Sequence, residues 1–357
     1  MRATYALIDL DAIRHNVRVI GALIAPTQYC AVVKADGYGH GDAPVAMAAL
    51  DAGATRLAVA LVEEGIRLRE AGIEAPILVL SEPDAASAPD VVAWGLTPTV
   101  YTIGFAQALG DTGQRVGVHV KVDTGMHRVG VGVGEVEALV GALRALDLDL
   151  EGMFTHFPVA DTDPDFTKSQ IELFDELLAG FDVPLTHLAN TPGALLFPEA
   201  NRDFSRIGLG TYGLHPCDAT RSVVELRPAM SIVSHVSHLQ RLKAGDRPSY
   251  GRRRALESDA TVATVPIGYA DGYPRRMTDT GRALIGGVGF ALAGTVTMDQ
   301  MMIDVGDADV AVGDEVVLMG SQGDAMITAD EWAEQVDTIS YEIVCSIGPR
   351  VPRRYSN

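Results

Sequence analysis

Residues 31–41 read AVVKADGYGHG, and the fold turns on this stretch. The run Tyr29-Cys30-Ala31-Val32-Val33 is short, β-branched and apolar on both faces, as expected of a strand buried in a parallel sheet. It ends in Lys34, delivered into a loop with three glycines, an aspartate, a tyrosine and a histidine. A lysine at the end of a buried strand is poorly placed to stay charged. Its amine suits covalent bonding to a carbonyl cofactor, or titration nearer neutrality. Gly37, Gly39 and Gly41 let the backbone approach a ligand, and Tyr38 offers a hydroxyl to a phosphate. The competing reading has Lys34 snorkelling at a strand end, with glycines that only turn the chain.

Outward from this stretch the pattern alternates β and α. A short strand over residues 5–10 precedes a helix that Asp11 can cap, with Ile13, Val17, Ile20 and Ile24 at helical spacing. After the Lys34 strand, further strands are expected near residues 56–60, 76–80, 96–102, 116–122, 150–156, 185–190 and 205–214. The segments between them, such as EEGIRLREAG and TKSQIELFDELLAG, carry helical periodicity. These eight βα units predict a (β/α)8 barrel, with a doubly wound sheet as the alternative.

The unusual polar residues fall at matching places in those units. Lys34, Asp123 with Arg128, His156, Asn190 with Thr191, and Arg206 with Gly208 all stand at or just past the C-terminal end of an expected strand. In a barrel these ends converge on one mouth, so residues far apart in sequence would surround one cavity. Gly208 and Gly210, in the eighth unit, would turn backbone N–H groups toward a phosphate.

After Pro228 the composition changes. SIVSHVSHLQRL, ATVATVPIG and RALIGGVGFALAGTVTMDQMMIDVG are β-branched and glycine-rich, which reads as a β domain. The expected division is 1–227 for the barrel and 228–357 for the β domain, with the first strand a candidate to pack on the latter. Lys plus Arg number 28 against 47 Asp plus Glu, and the resulting net charge of −19 argues against nucleic acid or an anionic membrane as partner. The three cysteines, Cys30, Cys217 and Cys345, are far apart and form no CxxC, which fits a reducing cytoplasm, and no metal site is expected. No secretory apolar segment opens the chain, and no run long enough to span a membrane occurs.

Nine stretches together resemble the alanine racemases, enzymes dependent on pyridoxal 5'-phosphate: AVVKADGYGHG, KVDTGMHRVG, GMFTHF, HLANTPGAL, FSRIGLGTYGL, SYG, IGYADGY, TMDQMMIDVG and YEIVCSIGPRVPR. The resemblance runs from Leu7 to Tyr355. It implies that Lys34 binds the cofactor covalently as a Schiff base and that Tyr38, Thr191, Gly208 and Leu209 hold its phosphate, with Asn190 nearby. Arg206 would face the pyridine nitrogen, and Arg128, steadied by Lys121, would touch the ring oxygen and the substrate carboxylate. Some members carry that lysine as a carbamate. The resemblance further implies a homodimer in which the neighbouring subunit supplies Tyr250, in contact with His156, as the second base. Met298 of that subunit would meet the substrate carboxylate, Asp299 would give support, and Tyr269 with Asp161 would narrow the entrance. The implied product, D-alanine, supplies peptidoglycan.

The chemistry asks for such a set. Pyridoxal phosphate spreads the charge left on an amino acid Cα after proton loss, and inverting that centre needs one base on each face. Lys34 and Tyr250 would be those bases. A tyrosine, ordinarily titrating near pH ~10, is a weak base unless cations favour its phenolate. His156 linked to Arg206 would supply them. Taken singly, His156 could be a core histidine, Tyr250 a strand-edge tyrosine, Met298 a core residue, and Asn190 or Thr191 a helix cap. Arg206 inside a barrel requires acceptors in any reading. Three positions depart from the family pattern: Pro349 replaces a phosphate-reaching tyrosine, His127 a glycine, and Thr295 an arginine beside the entrance. The alternatives are a racemase of broader amino acid range on the same scaffold, a barrel decarboxylase, which would need a carboxylate where Arg206 stands, and a pyridoxal phosphate-binding homeostasis protein, which would lack the β domain.

Overall fold

The computed structural model describes residues 3–357, which divide into two compact units. One comprises Asp11–Gly37 and Gly41–Arg227; the other comprises the stretch ending at Leu10, Tyr38–His40 and Pro228–Asn357.

Strand β1 (Tyr5–Asp9) opens the chain, and the helix Leu10–Ile24 follows, burying Ile13, Val17, Ile20 and Ile24 on one face. Because that helix begins at Leu10, Asp11 lies inside its first turn and pairs with Arg14 at 3.0 Å; it is not the cap expected from the sequence. An acidic residue there still favours the helix N-terminus.

The barrel strands are β2 (Gln28–Val32), β3 (Arg56–Val59), β4 (Ile77–Val79), β5 (Thr97–Val100), β6 (Gly117–Asp123), β8 (Asp149–Phe154), β9 (Leu185–His187) and β10 (Phe204–Ile207), with a two-residue β7 (Val131–Gly132) beside β6. All pair parallel in the order β10-β2-β3-β4-β5-β6-β8-β9. Bonds from Asp203 N to Thr186 O (3.2 Å) and from Arg206 N to Ala189 O (3.0 Å) bring the two ends together. The result is a nearly closed eight-stranded parallel barrel, the architecture expected from the sequence. Strands such as the buried Ile77–Val79 are apolar throughout, because both faces are covered.

The eighth strand is shorter than expected. It stops at Ile207, and Leu209–Tyr212 form a 3-10 turn. Side-chain hydroxyls compete for the backbone here: Thr191 Oγ1 accepts from Gly208 N at 3.1 Å, and Thr211 Oγ1 donates to Ile207 O at 3.0 Å.

In the second unit β1 lies between β11 (Met230–His235), antiparallel, and β19 (Arg353–Ser356), parallel. The sheet continues through β17 (Glu315–Gln322) to the hairpin of β14 (Arg282–Ile285) and β15 (Val288–Ala291), with β18 (Ala325–Ile327) on β17. A second sheet runs β12 (His238–Leu242), β13 (Ala260–Val265), β16 (Met301–Gly306). Helices Ala329–Val336 and Ser340–Cys345 complete the unit, with Trp332 buried edge-on against Tyr273. Among the described residues no helix is long and apolar enough to cross a membrane.

Candidate active site

Lys34 stands two residues past the end of β2 and is half-buried. The next residues do something their identities do not advertise. Ala35, Asp36, Gly37 and Tyr38 all have φ between 50° and 58°, a left-handed helical turn. Each non-glycine residue held so costs roughly 1–2 kcal/mol, so surrounding bonds must over-determine it. The buried Glu64 carboxylate accepts from Ala35 N at 2.7 Å, and Gly37 N donates to Val33 O at 2.9 Å. Gly41 N donates to Asp36 O at 2.8 Å. Sequence reading missed Glu64; a carboxylate in the first turn of a helix after a buried strand was the available signal.

Arg206, near the end of β10, is 3% exposed, yet among the described residues no carboxylate pairs with it. Its Nη1 donates to His187 Nδ1 (2.7 Å) and His187 O (3.0 Å). Its Nη2 donates to Thr155 O (2.8 Å), Leu188 O (2.9 Å) and His156 Nδ1 (3.2 Å). The Nη hydrogens are thus spent on the barrel, which leaves Nε–H as the donor for anything opposite the guanidinium. Burial lowers the arginine to about 10, and it pushes Cys30, on the neighbouring strand, up to about 12.

Lys121 on β6 is buried, and burial, joined by Arg206, Arg128 and Lys34, lowers its pKa to about 8. His156 is held well below the usual histidine range by burial and then by Arg206, Lys121, Arg128 and Lys34. Five groups that the sequence scattered therefore act on one another at one end of the barrel. Arg206 and Lys121 also lie over the Phe154 ring, at 5.1 and 5.8 Å. Arg128 is exposed in the loop after β6, where Asp123 binds the backbone N–H of Gly125 and His127, each at 3.0 Å.

Asn190 caps the helix Thr191–Leu196, accepting from Gly193 N at 3.0 Å. Thr191 Oγ1 takes the N–H of Gly208 (3.1 Å) and of Gly210 (3.5 Å), while Leu209 begins the 3-10 turn, where a first-turn N–H has no intrahelical acceptor. Asp161 stands exposed before the helix Pro164–Leu178.

The other expected residues belong to the second unit. Tyr38 is buried with its ring 6.2 Å from that of Tyr341, and burial raises its hydroxyl above the usual range. Tyr250, Tyr269, Met298 and Asp299 line one groove of about 650 Å³. Tyr250 is 75% exposed, Met298 51% and Tyr269 42%, an unusual outlay of apolar surface. Two bonds fix the backbone there: Thr295 Oγ1 donates to Tyr250 O at 2.7 Å, and Ser249 Oγ donates to Thr295 O at 2.6 Å. Arg350, next to Pro349, pairs with Asp299 at 2.7 Å and with the buried Asp271 at 3.3 Å.

Four cationic side chains converging on one barrel end, without a carboxylate on Arg206 or Lys121 among the described residues, suit an anionic ligand beside a half-buried lysine. A phosphorylated carbonyl cofactor that takes an amino acid carboxylate fits this donor set. Such a mouth fits the class of barrel enzymes that hold a phosphorylated cofactor.

The family model for the alanine racemase N-terminal domain matches residues 8–216, and that for the C-terminal domain matches residues 229–355. The chain is 45% identical to the alanine racemase of Symbiobacterium thermophilum, over 99% of this chain and 97% of that protein. The crystal structure of alanine racemase from Bacillus anthracis with bound L-Ala-P superposes with a TM-score of 0.95 at 37% identity, covering 100% of this chain and 96% of that one. A histidine racemase from Leuconostoc mesenteroides gives 0.92 at 32% identity, covering 100% and 98%. The chain belongs to the alanine racemase family, pyridoxal phosphate-dependent isomerases of amino acids.

Proposed function

We propose that this protein interconverts L- and D-alanine as a cytoplasmic homodimer, each active site being built from two chains, and that its D-alanine serves peptidoglycan. The observation that carries the chemistry is the cationic barrel end: Lys34 and Arg128 beside a buried Arg206 whose acceptors are all neutral imidazoles and carbonyls. Lys34 would hold pyridoxal phosphate, Thr191, Gly208, Leu209 and Tyr38 its phosphate, and Arg206 the ring nitrogen, with Asn190 bracing the phosphate turn. Bound there, the cofactor supplies an electron sink for the charge left on Cα. Arg128 and the Met298 backbone would orient the substrate carboxylate, with Lys121, Asp161, Tyr269 and Asp299 shaping the approach.

Lys34 Nζ moves the proton on one face of Cα and the Tyr250 hydroxyl on the other. The exposure of Tyr250 supports a second chain covering it, since a base left in water would have no fixed geometry. Cys30, Cys217 and Cys345 form no disulfide, which agrees with a reducing compartment.

A second reading, a racemase of wider amino acid range, is favoured by one observation: a histidine racemase shares the fold closely. Chiral analysis after incubation of the loaded enzyme with several L-amino acids separates the two. D-alanine should accumulate far faster than any other D-isomer; comparable rates across the set would favour the wider range. Borohydride should fix the cofactor on Lys34 and on no other lysine, and label elsewhere would overturn the site.

A further inference from the structure

Behind Arg206, on the side away from the mouth, the barrel core holds a line of polar groups that the reaction as described does not use. His187 stands at the end of β9 and His119 in β6, both fully enclosed, and Glu151 near the start of β8 reaches half-exposed surface. Arg206 Nη1 donates to His187 Nδ1 at 2.7 Å, and an arginine can only donate. His187 Nδ1 is therefore a lone pair and its proton sits on Nε2. That nitrogen lies 2.8 Å from His119 Nδ1, so His119 accepts there and carries its own proton on Nε2. His119 Nε2 has no hydrogen-bond partner and faces Glu151 Oε1 at 3.9 Å, close enough for the carboxylate charge to act on the N–H dipole of the neutral ring. Every N–H in the line points from the cation at the mouth toward the anion at the far end, the arrangement in which bonds polarise one another.

The surroundings are shaped to this line. The His187 ring is stacked between Phe154 (4.4 Å) and Phe204 (4.1 Å), which fixes its plane. Gly152 pairs with His119 across β6 and β8, and a Cβ there would come within 2.4 Å of the His119 ring. A Cβ on Gly117 would lie 2.4 Å from Glu151 Oε2. Neither glycine has a positive φ; Gly152 leaves room for the enclosed His119 ring, whereas the half-exposed Glu151 carboxylate could turn away from a Cβ on Gly117. Arg56, over Phe204 at 4.3 Å, adds a second positive charge near both imidazoles. Burial foremost, then neighbouring charge, keeps both histidines below their usual range, and the His119 imidazole keeps Glu151 below its own.

We propose that Glu151, His119 and His187 form a polarised relay through the barrel core that holds Arg206 charged and in one orientation, making both histidines positioning residues for the ring bound opposite the guanidinium. A proton added to His187 Nδ1 would face the Arg206 Nη1–H groups and displace them, so the relay works only with both rings neutral. The proposal rests on the reading that Arg206 faces the cofactor ring.

The test uses the loaded dimer with 15N-labelled histidine, and reads ring nitrogen shifts together with the ratio of pyruvate formed by transamination to alanine racemised. In wild type His187 and His119 should both be neutral with the proton on Nε2. Glu151→Gln, a change at a half-exposed position, and His119→Phe, which keeps the ring volume, should each raise the pyruvate share roughly fivefold, the factor of an interaction of ~1 kcal/mol. Glu151→Gln should also disturb the His119 shifts. A proton on His187 Nδ1, or an unchanged product ratio in folded Glu151→Gln, would overturn the relay. Arg206→Glu separates the two readings: if it alters the ratio while the relay variants do not, the relay fails; if it leaves the ratio unchanged, the placement of Arg206 fails.

Discussion

Arg206 shows how a residue's requirements become function. A guanidinium at 3% exposure needs acceptors, and the barrel provides carbonyls and imidazoles but no carboxylate among the described residues. It stays a donor of positive character, which limits how strongly a ring opposite it withdraws electrons. Arg206→Glu should therefore increase transamination relative to racemisation, measured as pyruvate per alanine inverted; an unchanged ratio would count against the placement. The need for acceptors was legible in the sequence, but their identity was not. His187 and His119 sat in LTHLAN and VGVHVKV as polar letters inside strands, and only the pairing of His119 with Gly152 shows the space reserved for a ring.

Lys121 gives a prediction with a sign. Its ordinary pKa of 10.5 is lowered to about 8 in the fold, by burial first and then by Arg206, Arg128 and Lys34. Between about 8 and 10.5 the unfolded chain keeps a proton that the folded chain has released, so stability rises with pH across that window and the cost of the buried cation is fully present below it. The Tm of cofactor-free wild type minus that of Lys121→Met should become more positive from pH about 7.5 to about 9.5. A difference independent of pH would contradict the assignment.

At the scale of elements, the eight strands were readable because strands buried on both faces must be apolar runs, and turns must separate them. The left-handed turn after Lys34 was not, because alanine and tyrosine disfavour that conformation and a lone aspartate does not announce it. Its glycines were noted for ligand approach, whereas Gly39 answers to packing: at φ 78°, a Cβ would sit 2.3 Å from Val344 O. Gly39→Ala should lower the urea midpoint by the equivalent of more than ~1 kcal/mol, and an unchanged midpoint would show that the backbone yields there. The Tyr250 loop is likewise held by an element partner. Thr295, where the family pattern has arginine, donates to Tyr250 O at 2.7 Å. Thr295→Val should cut kcat roughly fivefold, one hydrogen bond of ~1 kcal/mol, and leave the covalently bound cofactor's absorbance unchanged. A loss of cofactor instead would mean that Thr295 acts on the fold as a whole.

For the whole molecule, the proposed function divides labour between a barrel that binds and a β unit that presents Tyr250 to another chain. Composition separated the two near Pro228, but could not show that the first strand joins the later sheet or that Tyr38–His40 cluster with it. Those placements depend on long-range pairing, β1 with β11 and β19, which no local pattern encodes. Whether each site is shared between two chains is tested by mixing two inactive variants. Lys34→Ala and Tyr250→Phe should each lose racemisation, and losing a general base costs roughly 10²- to 10⁴-fold. Tyr250→Phe should still exchange the α-hydrogen of one enantiomer with solvent. When the two inactive proteins exchange subunits, about half the dimers are mixed, and in each mixed dimer one site carries both lesions while the other carries neither. About a quarter of all sites should regain racemisation; verified heterodimers with no recovery would place both residues in one chain's site and contradict the account.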